Sequence, residues 1–250
     1  MEFLGEVWAW YTDPASWSGN NSIPLRLWEH VSLAAISLAA GLAIALPVGL
    51  YIGHTGRFAR VAVILSNVGR AVPSLGWLGI VYPITTLLFQ RAGIGFLPAF
   101  VALVALAIPP IVTNTYAGLQ EVDPDLREAG RGMGMRELQL LRQVEMPVAL
   151  PVILAGVRSS AVTVVATTTL AALVGGGTLG HYIVQGLFLG PSHVPRVFGA
   201  ALLVALLAIA TELSFGWLQR RSLSPGLRGG VHTPLIEPAQ IGAGGGQASW

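Results

Sequence analysis

Five long apolar stretches occupy most of the chain between Val31 and Phe215. Each is about as long as a helix must be to cross the hydrocarbon core of a bilayer, so the pattern predicts an all-α membrane protein. The predicted spans are Val31–Ile52, Val61–Phe89, Ile94–Thr113, Pro147–Val174 and Val197–Trp217. Asn67, Arg70 and Pro73 interrupt the second, which we interpret as one kinked or broken span. A split at Pro73 would give six spans instead of five.

Two smaller features lie at the ends of these spans. Pro109-Pro110 is expected to kink the end of the third span, just before a polar loop. Gly175-Gly176-Gly177 forms a turn after the fourth span, and the apolar piece that follows it is too short to cross a bilayer. This turn lacks the Lys-Ser/Thr pair with which a phosphate loop binds phosphate and magnesium. We therefore expect no nucleotide on this chain.

Composition supports a membrane location and excludes several kinds of site. Hydrophobic residues make up 53% of the chain and charged residues 10%, whereas soluble proteins average about 25% charged residues. Cysteine is absent, which excludes disulfides, thiolate metal sites and thiol nucleophiles. The histidines show no metal-ligand spacing, and no Ser/His/Asp grouping stands out. We expect no metal, no cofactor and no catalytic residue on this chain, and a net charge of +2 does not indicate nucleic-acid binding here.

The one long polar segment inside the apolar region, residues 121–147, predicts a helix–turn–helix. Asp123-Pro124 is a helix start, with an N-cap carboxylate and proline at the first helical position. Three glycines within five residues follow, and the helix is expected to break near Gly134. A second helix is predicted from Met135 to Val144, with one apolar face made of Leu138, Leu141 and Val144. Pro147 is expected to close the segment.

This segment resembles the EAA loop of ABC importer permeases, whose pattern is E-A-A-x3-G-x9-I-x-L-P. The matching residues are Glu128-Ala129-Gly130, then Gly134 after three residues, then Val144-Glu145-Met146-Pro147 after nine. Gly130, Val144 and Met146 depart from the pattern. The resemblance implies a type I ABC importer permease fold, in which the loop docks into a groove of a cytoplasmic ATPase. The residues implied to couple the chain to that ATPase are Asp125, Glu128, Ala129, Gly130, Arg131, Gly134, Met135 and Pro147.

Polar side chains inside the predicted spans are candidates for a translocation path or gate, because polar groups at membrane depth are costly. They are Asn67, Arg70, Ser74, Asn114, Arg158, Thr163 and Thr167. An alternative applies to several of them. Threonines can bond their own helix backbone, and arginines can extend to the membrane surface.

The arginines predict the orientation of the chain. Nine lie on the side of the polar loop and the C-terminus, namely Arg57, Arg60, Arg127, Arg131, Arg136, Arg142, Arg220, Arg221 and Arg228. Three lie on the other side, namely Arg26, Arg91 and Arg196. Cytoplasmic loops carry the excess of basic residues, so the loop and the C-terminus are expected in the cytoplasm and the N-terminus outside a bacterial inner membrane. We predict an interfacial, extracytoplasmic segment (residues 1–28), a transmembrane domain (29–221) and a disordered cytoplasmic tail (222–250).

Three stretches are similar to the glycine betaine/carnitine/choline group of these permeases, and the similarity runs from about Leu25 to Arg220. They read NTYAGLQEVDPDLREAGRGMGM, MPVALPVILAGVRSSAV and TLAALVGGGTLG. The resemblance implies import of a quaternary-ammonium osmoprotectant that an extracytoplasmic binding protein delivers. It also implies ATPase subunits that carry the ATP and magnesium, and a second permease copy or paralogue.

Other functions stay open at this point. A permease for methionine, or for sulfonate or nitrate, would share the loop and the helix core. A secondary transporter driven by an ion gradient would need intramembrane carboxylates and internal repeats. Glu212 is the only acid inside a predicted span, and no repeat is evident.

Overall fold

The computed structural model describes residues 2–222, and these residues form helices joined by short turns. The tail predicted to be disordered therefore lies outside the described residues, except for Ser222. The α-helices are α1 Glu2–Thr12, α2 Ile23–Thr55, α3 Ala59–Ala71, α4 Ser74–Phe89, α5 Phe96–Gln120, α6 Pro124–Gly132, α7 Glu137–Leu140, α8 Met146–Thr167, α9 Gly180–Leu189 and α10 Val194–Ser222. A π-helical segment, Leu141–Glu145, joins α7 to α8, and a 3₁₀ segment, Thr168–Val174, extends α8.

The described helices fit the prediction of five spans. Four of them are long and apolar enough to cross a membrane, and a fifth span is added if α3 and α4 are counted together. These two helices meet at an angle of 96°. With 13 and 16 residues they are about 20 and 24 Å long, which is too short for either to span alone. The break at Pro73 therefore does not produce a sixth span.

Two predicted helix ends are wrong, both at prolines. α5 continues through Pro109-Pro110 and ends at Gln120 rather than at Thr113. Proline is tolerated inside a membrane helix that packs against neighbouring helices, and α8 packs on α5 in this region, where the Ser160 hydroxyl donates to the Ala107 carbonyl at 3.0 Å. At Pro147 the predicted start of the fourth span is confirmed within one residue, since α8 begins at Met146, but the predicted break is wrong because the chain stays helical from the loop into α8. The wider π-helical turns before it, in which the Met146 N–H donates to the Leu141 carbonyl, lead the chain directly into α8.

α5 is the central helix, and α2 packs along it through small residues. Gly49 and Gly53 of α2 leave no space for a side chain, because a Cβ at these positions would lie 2.7 Å from Thr115 Cβ and 2.8 Å from Leu119 Cβ. Small residues at helix contacts let backbones approach closely in membrane proteins. The other face of α5 packs on α8. The C-terminal ends of α2 and α5 and the N-terminal end of α8 therefore lie together, and we call this the loop end.

The opposite end of α8 leads to the glycine turn and α9, and we call it the glycine end. Here α1 packs on α10, with the Tyr11 hydroxyl donating to the Gly199 carbonyl at 2.7 Å. α2 already begins at Ile23, so the predicted boundary between an interfacial segment and the first span falls inside a helix. α9 has only 10 residues, which confirms the prediction of an apolar piece too short to span.

Candidate functional site

The polar loop is a helix–turn–helix, as predicted. The Asp123 carboxylate caps α6 by accepting a hydrogen bond from the Asp125 backbone N–H at 2.9 Å. The chain then turns at Gly134, whose φ of 82° is a left-handed conformation that favours glycine. α7 begins at Glu137, two residues later than predicted, and consists of a single turn. The break near Gly134 and the start at Asp123-Pro124 are confirmed.

One side of the loop faces inward, where the two helices contact each other. Gly130 is buried, and a Cβ there would lie 2.7 Å from Leu140 Cδ1 and 3.5 Å from Met135 Sδ. The predicted apolar face is wrong at Leu138, which is 59% exposed, whereas Leu140 is fully buried. The α-helical spacing of 3.6 residues does not predict the buried face here, because α7 ends after one turn and the wider π-helical segment follows it.

The other side of the loop is exposed and mixes charged with apolar side chains. Asp125, Glu128 and Ala129 are exposed on α6. Three large apolar residues are exposed beside them, namely Leu126, Met133 and Leu138. We call these six residues the loop surface. Exposed apolar side chains on a polar segment are typical of a contact site for another protein.

A buried carboxylate anchors the loop to the rest of the molecule. Glu145 is 1% exposed, and its Oε2 lies 2.6 Å from His54 Nδ1 at the end of α2. Its Oε1 forms an ion pair with Arg127 of α6, with Nε at 2.9 Å, although that N–H is not aligned for a hydrogen bond. Arg127 also donates from Nη2 to the Leu119 carbonyl near the end of α5. A buried charge is stable only when it is paired in this way.

The network extends to the surface through Glu137 and Arg131. His54 Nε2 lies 3.3 Å from Glu137 Oε2, and Glu137 pairs with Arg131 across the Gly134 turn, with Arg131 Nε at 3.2 Å. The hydrogen bond from Arg131 lowers the pKa of Glu137 below its usual value, and the same bond raises the pKa of Arg131. We call these residues the Glu145 cluster: Glu145, His54, Arg127, Glu137 and Arg131.

Sequence reasoning missed the centre of this cluster, although it named Arg131. The signal was available at Glu145, a carboxylate between Val144 and Met146 at the start of an apolar span. Such a position is expensive without a partner. The partner could not be found from the sequence, because His54 lies 91 positions away. Among the residues that the structure describes, no group of His, Asp and Glu is arranged to hold a metal ion.

The structure places the path candidates in four separate locations. Arg70 donates to Asn67 at 2.7 Å on the exposed side of α3. Asn114 donates to the Pro110 carbonyl of its own helix at 2.8 Å. Ser74 and Thr167 line one small cavity, and Arg158 and Thr163 line a larger groove. Both threonines bond carbonyls of their own helix.

The groove beside Arg158 is the most polar of these locations. Arg158 of α8 pairs with Glu212 of α10, and Gln219 lies near the same guanidinium. The side chains of Arg158 and Glu212 are 35% and 43% exposed. The groove has a volume of about 610 Å³ and is open on one side.

Comparison with known proteins identifies the family. Residues 45–224 match the model of the binding-protein-dependent transport system inner membrane component. The chain belongs to this family. It is 36% identical over 211 residues to the carnitine transport permease protein OpuCB of Listeria monocytogenes, which covers 84% of this chain and 92% of that protein. It is 34% identical over 202 residues to the glycine betaine/carnitine/choline transport system permease protein OpuCB of Bacillus subtilis, covering 80% of this chain and 88% of that protein.

The fold of this permease matches solved structures of the same kind. It aligns with the MetNI methionine ABC transporter in an inward-facing conformation with a TM-score of 0.74 and 25% sequence identity. The alignment covers 85% of this chain and all of that chain. The chain is thus a multi-pass membrane subunit of an ABC importer, with the type I permease fold, and membership in the family implies an ATPase and a binding protein as partners.

Proposed function

We propose that this permease imports a quaternary-ammonium osmoprotectant of the glycine betaine, carnitine and choline class. The observation that carries the proposal is similarity over 84% and 80% of the chain to permeases named for these compounds, at 36% and 34% identity. A binding protein outside the membrane delivers the substrate and selects it, as membership in a binding-protein-dependent family suggests.

The loop surface is the proposed docking site for the ATPase. Its exposed Leu126, Met133 and Leu138 fit an apolar groove, and Glu128 supplies charge for charge-assisted contacts at the rim. Gly130, Gly134 and Met135 shape the turn behind this surface, Arg131 braces it through Glu137, and Pro147 starts the helix that leads into the membrane. The loop and the C-terminus lie in the cytoplasm and the N-terminus outside, with residues 1–28 at the outer interface. ATP and magnesium bind to the partner ATPase, and this chain binds neither.

The groove beside Arg158 supports the proposal that two permease chains enclose the path. A half-exposed ion pair at bilayer depth is costly against lipid. The pair avoids that cost if it faces water, or if it faces a second copy or a paralogue of this chain. Thr163 and Ser159 share the groove and extend its polar surface. Five other polar residues lie elsewhere, and we propose them as further positions of the path or its gate: Asn67, Arg70, Ser74, Asn114 and Thr167.

Methionine is the second candidate substrate, because the solved structure with the same fold is that of a methionine ABC transporter. The identity to that structure is 25%, against 36% and 34% for the two osmoprotectant permeases. A permease for sulfonate or nitrate has no observation in its favour beyond the shared loop pattern.

The test is ATPase activity of the permease reconstituted with its ATPase and binding protein. Glycine betaine, carnitine or choline is expected to stimulate hydrolysis, and methionine is expected not to. Stimulation by methionine alone would overturn the proposed substrate and leave the importer unchanged.

A charge reversal in the loop tests the docking site in the same assay. Glu128→Arg is expected to abolish substrate-stimulated hydrolysis, because it places the wrong charge on the loop surface. Glu121→Arg is the control, since Glu121 is an exposed glutamate that lies just before α6. Equal loss in both variants would contradict a specific role for Glu128.

A further inference from the structure

We infer that Glu145 is a positioning residue that locks the coupling loop to α2, so that α2 carries movement of the loop across the membrane. The inference rests on the proposed docking of the ATPase to the loop. It concerns a different question, namely which helix receives the movement. The covalent route leads from the loop into α8, and the Glu145 cluster adds a second route.

The first step concerns Glu145, where three parts of the chain meet. Its carboxylate lies in the π-helical segment before α8, and its two partners come from α2 and α6. With 1% of Glu145 exposed, this carboxylate cannot exchange its partners for water at small cost. Displacement of α6 by an ATPase therefore pulls on His54 through Glu145.

The second step is the contact of His54 with α7. His54 Nε2 lies 3.3 Å from Glu137 Oε2, so both ring nitrogens face carboxylates of the loop. One side chain of α2 is therefore held by two different parts of the loop. Such bonded networks attached to rigid helices are physical carriers of coupling between distant sites.

The third step is the reach of α2, which stays helical from Ile23 to Thr55 although Pro47 lies inside it. α2 has 33 residues and is about 50 Å long, and Gly49 and Gly53 pack it tightly against α5 next to His54. At the glycine end, Glu29 of α2 accepts a hydrogen bond from the Thr178 backbone N–H at 3.0 Å. A shift of His54 is therefore passed to the turn that carries Thr178, on the side where a binding protein docks.

The experiment compares Glu145→Gln with Glu121→Gln in the complex of permease, ATPase and binding protein in proteoliposomes. Gln keeps the shape of Glu145 and removes its charge. We measure assembly with the ATPase, ATP hydrolysis, and glycine betaine molecules taken up per ATP. Glu145→Gln is expected to assemble and to hydrolyse ATP, with uptake per ATP reduced about tenfold, as the loss of a charge-assisted bond predicts. Glu121→Gln is expected to match the wild type.

A purely structural role for Glu145 would lower the amount of complex and would leave uptake per ATP unchanged, and that result would overturn the inference. If Glu145→Gln does not fold, uptake per ATP is measured instead for His54→Gln, which changes a residue of α2 outside the loop. The double variant is expected to lose no more uptake per ATP than either single variant, because both break one connection. If the double variant loses the sum of the two single losses of uptake per ATP, Glu145 and His54 do not act through one connection. Failure of the wild-type chain to bind any ATPase would instead contradict the proposed function.

Discussion

The Glu145 cluster and the Arg158–Glu212 pair are two charged groups in one helical bundle, and they are satisfied in different ways. Glu145 is 1% exposed and finds its partners within the chain, on α2 and α6. Arg158 and Glu212 are 35% and 43% exposed and line an open groove between α8 and α10. The first group is closed and holds the chain together. The second is open, and in the function proposed above it faces either water in a path or another subunit.

This difference separates two roles that ion pairs have in a membrane protein. Breaking a closed pair leaves a charge buried without a partner, which destabilises the fold. Breaking an exposed pair changes stability little, so its effect is expected in transport alone, whereas the Glu145 cluster is expected to affect both stability and coupling. The following predictions test that separation.

Arg127→Met is expected to have the largest effect on stability. It leaves the buried Glu145 carboxylate with His54 alone, at a cost of about 3–5 kcal/mol. Thermal unfolding of the purified chain in detergent should show a fall on the order of ten degrees. Arg142→Met, at an exposed arginine of the same segment, is the control. The double variant Arg127→Met/Glu145→Gln is expected to regain most of the lost unfolding temperature, because it no longer buries an unpaired carboxylate. If the double variant unfolds as early as Arg127→Met, the two residues are not a closed pair.

Gly53→Ala is expected to weaken the closed cluster from outside. The new Cβ would lie 2.8 Å from Leu119 Cβ, so α2 must move away from α5 and carry His54 away from Glu145. Overpacking of this kind costs about 1–3 kcal/mol. Gly79→Ala is the matched control, since nothing lies within 4 Å of a Cβ there. Equal unfolding temperatures for the two variants would show that the α2–α5 contact does not position His54.

Gly134→Ala is expected to cost about 1–2 kcal/mol, because its φ of 82° is left-handed. The turn at Gly134 also brings Arg131 next to Glu137, so the outer part of the cluster weakens with it. Gly132→Ala lies two residues away, in open space and within α6, and it should be neutral or slightly stabilising. Unfolding temperatures of both variants check the prediction, and the reverse order would contradict the turn geometry.

Arg158→Gln is expected to have the smallest effect on stability. The purified chain should unfold at the same temperature as the wild type, because its partner Glu212 remains accessible to solvent in the groove. Uptake in the reconstituted complex should fall, since the polar surface of the groove changes. A loss of stability comparable with that of Arg127→Met would show that this pair is as closed as the Glu145 cluster.

Features that depend on residues close together in the sequence could be predicted, and features that depend on distant residues could not. The spans, the cap at Asp123 and the break at Gly134 depend on neighbouring residues, and the pattern of the chain predicts them. The continuation of α5 through Pro109-Pro110 depends on packing against α8, and the pairing of Glu145 with His54 depends on the approach of α2 to α5. These contacts are set by distant parts of the chain, so local rules could not supply them.

The most direct test of the account is cross-linking from single cysteines, which the absence of native cysteine makes unambiguous. Leu138→Cys lies on the loop surface, and Phe188→Cys lies on α9 at the glycine end; the native side chains are 59% and 84% exposed. In the assembled transporter, Leu138→Cys should cross-link to the ATPase and Phe188→Cys should not. Cross-linking of the ATPase from Phe188→Cys, with none from Leu138→Cys, would contradict both the docking site and the orientation of the chain.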